Sequence, residues 1–171
     1  MNFDQAFDRL MKSEGGMSTD PKDPGNWTGG MVGVGRCVGT KFGIAANTYP
    51  DVDIPNLTLA QAKMIYYRDW WLKAGADYLP PDMVYQVWQF AVNAGMGNAR
   101  RVLQRAVGVA DDGQVGPATI AAIKAMDPKD LPLRWFKFVV LHYTSLSTWV
   151  TYGRGWMIRT AEQLGLAAED N

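Results

Sequence analysis

Apolar Phe3, Phe7, Leu10 and Met11 recur at the spacing of one helix face, with polar Asp4, Asp8, Arg9 and Lys12 between them. The stripe continues to Glu14 and must end there. Gly15 and Gly16 follow, and glycine is the usual residue just past a helix end. From 15 to 57 the periodicity lapses into a stretch rich in Gly, Pro, Asn and Asp. A loop that long in a compact protein is functional or holds short strands of its own. Thr58-Leu59-Ala60-Gln61 then reads as a capping box. It predicts a helix that buries Ala62, Ile65, Tyr66 and Trp70.

Pro80-Pro81-Asp82 opens the next helix, with Val84, Val87, Trp88 and Ala91 on one face and Gly95 as its stop. A shorter helix carries Val102, Leu103, Ala106 and Val107 and ends at Gly108. After the turn Asp111-Asp112-Gly113, Pro117 suits the first position of a helix lined by Ile120 and Ile123. Pro128 begins a long helix with Leu131, Trp135, Phe138, Val139, Leu146 and Trp149; Gly153 and Gly155 are expected to break it before a last segment, 156–164. The pattern predicts a mainly α protein without internal repeats or a low-complexity linker.

Composition narrows the function. The chain has 171 residues, 47% hydrophobic and 20% charged, with zero formal net charge. That allows one domain or two small ones and argues against disorder. It also argues against a nucleic-acid protein, which is usually basic. One cysteine, Cys37, excludes an internal disulfide and a cysteine-rich metal site. The single histidine, His142, falls beside an apolar stripe and reads as a core residue. Serine and cysteine hydrolase schemes therefore lack a base, and a catalytic zinc site lacks ligands. No basic start followed by an apolar run marks a secretory signal, and the apolar stretch 138–153 is too short and polar to span a bilayer. The expectation is a soluble protein made in the cytoplasm. Gly33-Val34-Gly35-Arg36-Cys37-Val38-Gly39 lacks the third glycine of a nucleotide loop and reads as a hairpin or cleft flap.

Glu14 is the first candidate for chemistry. A carboxylate on an apolar stripe at the last turn of a helix is desolvated and close to the negative end of the helix dipole. Both effects favour the protonated form, the state a general acid needs near neutral pH. The plain alternative is a glutamate turned to water or paired with an arginine. Asp23, in the Pro/Gly-rich loop, supplies a second carboxylate in a segment of the kind that carries site residues. An aspartate before proline is also an ordinary turn former, as is Asp20. Trp27 lies in the same loop and is the best candidate for an exposed ring; Asn93, near the end of its helix, would reach a ligand or serve only the helix terminus.

The run Glu14-Gly15-Gly16 followed by Asp20-Pro21-Lys22-Asp23-Pro24-Gly25 resembles the signature of glycoside hydrolase family 108, phage-type N-acetylmuramidases that cut peptidoglycan. Thr40-Lys41-Phe42-Gly43-Ile44 resembles the family's Thr-Lys-aromatic-Gly-Ile run, reached here after an additional stretch, Gly29 to Gly39. Tyr66-Tyr67-Arg68-Asp69-Trp70-Trp71 looks like its next helix, and Leu103-Gln104, Asp112-Gly113 and Gly116-Pro117-Ala118-Thr119 resemble helical peptidoglycan-binding modules. The resemblance implies a lysozyme-like helical fold with a long irregular loop or small hairpin after the first helix. It implies a catalytic region at 1–80 and a peptidoglycan-binding-like region at 81–171, packed on the first as one unit. Glu14 would protonate the leaving oxygen between N-acetylmuramic acid and N-acetylglucosamine, and Asp23 with Thr40 would position water or stabilise the cation. Thr28 competes with Thr40 for that place. Trp27, Phe42 and Asn93 would contact substrate. No metal or cofactor is implied. The expected protein is a monomeric phage or prophage endolysin acting on the wall, carried across the membrane by a separate holin or export system. The rivals are a lytic transglycosylase and a non-catalytic wall-binding or phage structural protein.

Overall fold

The computed structural model describes residues 1–12 and 16–170. Packing groups Asp4–Tyr67 into one unit, and Met1–Phe3 with Arg68–Asn171 into a second. The architecture is mainly α and lysozyme-like, with a small hairpin after the first helix. Among the described residues no helix is long and apolar enough to cross a membrane.

In the first unit, α1 (Phe3–Met11) buries Ala6, Phe7 and Leu10, as its spacing predicts. Helix α2 (Leu59–Tyr66) starts at the predicted capping box: Thr58 Oγ1 accepts from the Gln61 N–H at 3.3 Å, and the Gln61 side chain accepts from the Thr58 N–H at 2.9 Å. The two helices meet where Phe7 lies edge-on to Tyr66 at 5.8 Å and Lys63 pairs with Asp4 at 2.9 Å. The long loop holds two short antiparallel strands, β1 (Thr40–Lys41) and β2 (Ile44–Ala45), in the register Thr40 to Ala45 and Lys41 to Ile44. Ser18 adds a further bridge to Thr40.

Helix α2 runs into a π-helical turn, Tyr67–Trp71, and then α3 (Leu72–Ala74). The extra residue of a π turn shifts the buried face by one position. Trp71, 3% exposed, is therefore the buried ring, and the predicted Trp70 lies at the half-exposed margin. The segment 68–80, expected with the catalytic residues, packs within the second unit. The Trp71 ring is edge-on to Trp88 at 5.8 Å, and Arg100 donates to the Lys73 carbonyl from Nε and Nη2 at 2.8 and 2.6 Å.

Helix α4 (Pro81–Ala94) is the core of that unit. Every residue from Asp82 to Ala91 is buried, so the single predicted face of Val84, Val87, Trp88 and Ala91 is only part of a fully enclosed helix. Helices α5 (Met96–Val107), α7 (Asp130–Thr144) and α8 (Trp149–Glu169) enclose it. The stop at Gly95 and the left-handed Gly108 after α5 follow the sequence, and α6 (Pro117–Ala125) starts at the expected proline. Within α6, Ile123 is buried and Ile120 half-buried.

The predicted break at Gly153 and Gly155 does not occur. The chain turns at 145–148 instead, and α8 runs through both glycines. At the end of α7, Ser145 Oγ donates to the His142 carbonyl at 2.7 Å and Thr144 Oγ1 to the Val140 carbonyl at 2.9 Å. Gly153 is there for packing: a Cβ would lie 2.7 Å from the Trp149 ring. His142 packs against Phe90 with ring centroids 5.6 Å apart. Its pKa is held below the usual value, by burial first and then by the Arg105 charge.

Candidate active site

Glu14, the proposed acid, lies outside the described residues. The loop that follows is organised by a residue the sequence did not single out. Asn26 is 0% exposed. Its Nδ2 donates to the Asp20 carbonyl at 3.0 Å, and its Oδ1 accepts from the Thr40 hydroxyl at 2.8 Å. Its own carbonyl accepts from the N–H groups of Val38 and Gly39 at 3.0 and 3.1 Å. One buried amide thus ties the Asp-Pro loop, the end of the inserted stretch and β1 together. In sequence it stands in Pro24-Gly25-Asn26-Trp27, where asparagine reads as an ordinary turn residue; its burial has no local signal.

Asp23 caps the 3₁₀ turn Pro24–Asn26. Its Oδ1 accepts from the Gly25 N–H at 2.8 Å, and the side chain is exposed. Proline at the first position of the turn and an Asx cap immediately before it explain why this turn forms. A cap uses one carboxylate oxygen and leaves the other available to solvent. Asp20 acts locally as well, accepting from the Lys22 N–H at 2.9 Å. Trp27 is half-buried, and its indole N–H donates to the Pro21 carbonyl at 2.9 Å, which fixes the ring against the loop.

The two threonines separate cleanly. Thr28 Oγ1 accepts from the Arg36 N–H at 2.9 Å, inside the hairpin made by the additional stretch. Thr40 Oγ1 is bonded to Asn26, in the same network as the Asp23 turn. Phe42 and Gly43 form the two-residue turn between β1 and β2, with φ of 52° and 74°. This is the turn class that needs positive φ at both positions and favours asparagine and glycine. Phenylalanine there is strained. Its carbonyl is held by the Tyr66 hydroxyl at 3.1 Å, and the Lys41 ammonium lies 5.5 Å from its ring centre. Tyr66 is a second supporting residue that the sequence reading took only as core.

Asn93 belongs to the other unit. It is exposed, and its Nδ2 donates to the Gln89 carbonyl at 2.9 Å, the helix-terminus role. The pattern that resembles wall-binding modules builds a loop after α5. Buried Gln104 donates from Nε2 to Asp112 Oδ1 at 2.6 Å and to the Gln114 carbonyl at 3.1 Å, while its Oε1 accepts from the Gly113 N–H at 2.8 Å. Arg101 donates to the Asp111 carbonyl and Arg105 to the Asp111 carboxylate, which lowers that carboxylate's pKa. Both arginines are exposed and hold the loop through these bonds.

The fold is mainly α and lysozyme-like, with an Asp-bearing, hydrogen-bonded loop between its first two helices. The glycosyl hydrolase 108 family model matches residues 7–95, and the chain belongs to that family. It is a glycoside hydrolase, and the match supports peptidoglycan as its substrate. The fold is similar to the solved structure of Brucella abortus SagA, with 28% identity, a TM-score of 0.81, and coverage of 98% of this chain and 94% of that one. None of the curated proteins matches.

Proposed function

We propose that the chain is a lysozyme-type N-acetylmuramidase that hydrolyses the β-1,4 bond between N-acetylmuramic acid and N-acetylglucosamine. Glu14 protonates the leaving oxygen. Asp23 and Thr40 act on the opposite side of the bond, holding water or countering the charge of the oxocarbenium-like transition state. Trp27 and Phe42 contact the sugars. The observation that carries this is the Asn26 network, which holds the Thr40 hydroxyl and the Asp23 turn in one fixed loop within the family-matched segment. A fixed constellation of this kind is what stabilising a transition state requires. In keeping with it, the protein is a phage or prophage endolysin that works as a monomer without metal or cofactor and reaches the wall by a holin or export system. A wall-binding role for residues 81–171 rests on the resemblance of their motif.

Glu14→Gln keeps the size of the acid and removes the proton. It should lower turnover on purified sacculi by about a hundredfold or more while leaving the melting temperature unchanged. Near-normal turnover would reject Glu14 as the acid. The product ends test the reaction itself: a reducing muramic acid marks hydrolysis, and an anhydro ring marks the transglycosylase.

A further inference from the structure

Residues 28–36, which include most of the additional stretch Gly29 to Gly39, form a closed hairpin. At its base the Thr28 N–H donates to the Arg36 carbonyl at 3.0 Å; nearer the tip the Gly29 N–H donates to the Val34 carbonyl at 3.1 Å and the Val34 N–H to the Met31 carbonyl at 3.0 Å. Two glycines make that closeness possible. A Cβ on Gly29 would lie 2.4 Å from the Val34 side chain, and one on Gly35, at φ 79°, would lie 2.3 Å from Thr28 Oγ1. The hairpin is therefore a built element. Yet it holds its apolar side chains out: Met31, Val32 and Val34 are 61%, 55% and 43% exposed. Such a cluster at one loop tip marks an interaction surface. Arg36 adds an exposed guanidinium to the same hairpin.

We propose that this hairpin binds the peptide stems that the glycan carries; this rests on the peptidoglycan assignment above. Stem peptides present alanine methyl groups and free carboxylates. Met31, Val32 and Val34 match the methyl groups, and Arg36 matches a carboxylate. Sugar hydroxyls need hydrogen-bonding partners, which methionine and valine do not supply, so the tip is suited to the stem and not to the sugar. An anionic lipid surface also accepts an apolar tip beside a cation. The stem is favoured because the hairpin leads directly into Val38 and Gly39, whose N–H groups bond the Asn26 carbonyl beside Thr40.

The test measures binding of Glu14→Gln protein to soluble glycan strands with stems, to strands stripped of stems by an amidase, and to anionic phospholipid vesicles. Replacing Met31 and Val32 together by serine, or Arg36→Gln alone, should weaken binding to stem-bearing strands by about tenfold. Binding to stripped strands should change less than about twofold on the same scale, with melting temperature unchanged. Equal losses on both strands, no loss on either, or a loss confined to vesicles would overturn the proposal. A wild-type chain that cuts neither glycan would defeat the peptidoglycan assignment itself, and would do so without any hairpin variant.

Discussion

Asn26 shows how much of a candidate site loop can rest on one buried amide. Its side chain and its carbonyl together make four hydrogen bonds to Asp20, Thr40, Val38 and Gly39. Removing the side chain takes that partner from the Thr40 hydroxyl and leaves the Asp20 carbonyl with the Asp23 N–H alone; a polar group left unpaired costs about 1–3 kcal/mol. Asn26→Ala should therefore lower stability by about 2 kcal/mol in a denaturant titration. A loss below about 1 kcal/mol would show that the loop closes without it. Phe42 poses the opposite case. Its φ of 52° suits asparagine better than phenylalanine. Phe42→Asn should raise stability by about 1 kcal/mol, because the strain is relieved. If the ring serves the substrate, the same change lowers kcat/KM on wall fragments by about tenfold, a loss of about 1.4 kcal/mol of transition-state binding. A variant that is both less stable and fully active would show that the ring is held for packing alone.

At the scale of elements, periodicity, caps and the glycine stops at helix ends are legible, whereas a glycine inside a helix cannot be told from a glycine that ends one. Capping at Thr58, the start at Pro81 and the stops at Gly95 and Gly108 are local events, set by groups within a few residues. The π turn at Tyr67–Trp71 and the continuous α8 are decided by packing. A mid-helix glycine costs about 1 kcal/mol, which tertiary contacts readily offset. In α8 the Trp156 ring stacks on Tyr143 at 4.9 Å, and Ala167 is buried. The glycines can therefore be told apart by their surroundings. Nothing lies within 4 Å of a Cβ on Gly155 or Gly165, whereas one on Gly153 meets Trp149. Gly155→Ala and Gly165→Ala should each raise the melting temperature by about 2 °C, with Gly153→Ala gaining less than either. A fall in both of the first two would mean that α8 is not helical across those positions in solution. The candidate site divides the same way. Asp23 and Thr40 could be named from motif residues, but the bond between Thr40 and Asn26 spans a hairpin, and no local pattern encodes it.

At the scale of the molecule, the catalytic candidates and the large hydrophobic core fall in different units. Asp4–Tyr67 holds the Asp23 turn and Thr40, and encloses a modest core of Phe7, Leu10, Ile44, Ile54, Ile65 and Tyr66. The other unit buries Trp71, Trp88, Leu103, Leu131 and Trp135 around a fully enclosed α4. A fragment of fewer than about 70 residues buries too small a share of its surface to be more than marginal. One of about 100 residues with a central helix is large enough to fold. Residues 68–171 expressed alone should therefore unfold cooperatively, and residues 1–67 should not. The placement of the cut matters. Starting the second fragment at 81 removes the Trp71 ring from Trp88 and the Lys73 carbonyl from Arg100. Losing a buried tryptophan costs about 3–5 kcal/mol, a large share of a marginal domain's stability. Fragment 81–171 should melt well below fragment 68–171, or not fold. Equal melting temperatures for the two would place residues 68–80 outside the unit's cooperative core, and a cooperative transition in fragment 1–67 would show that the candidate site loop folds on its own core.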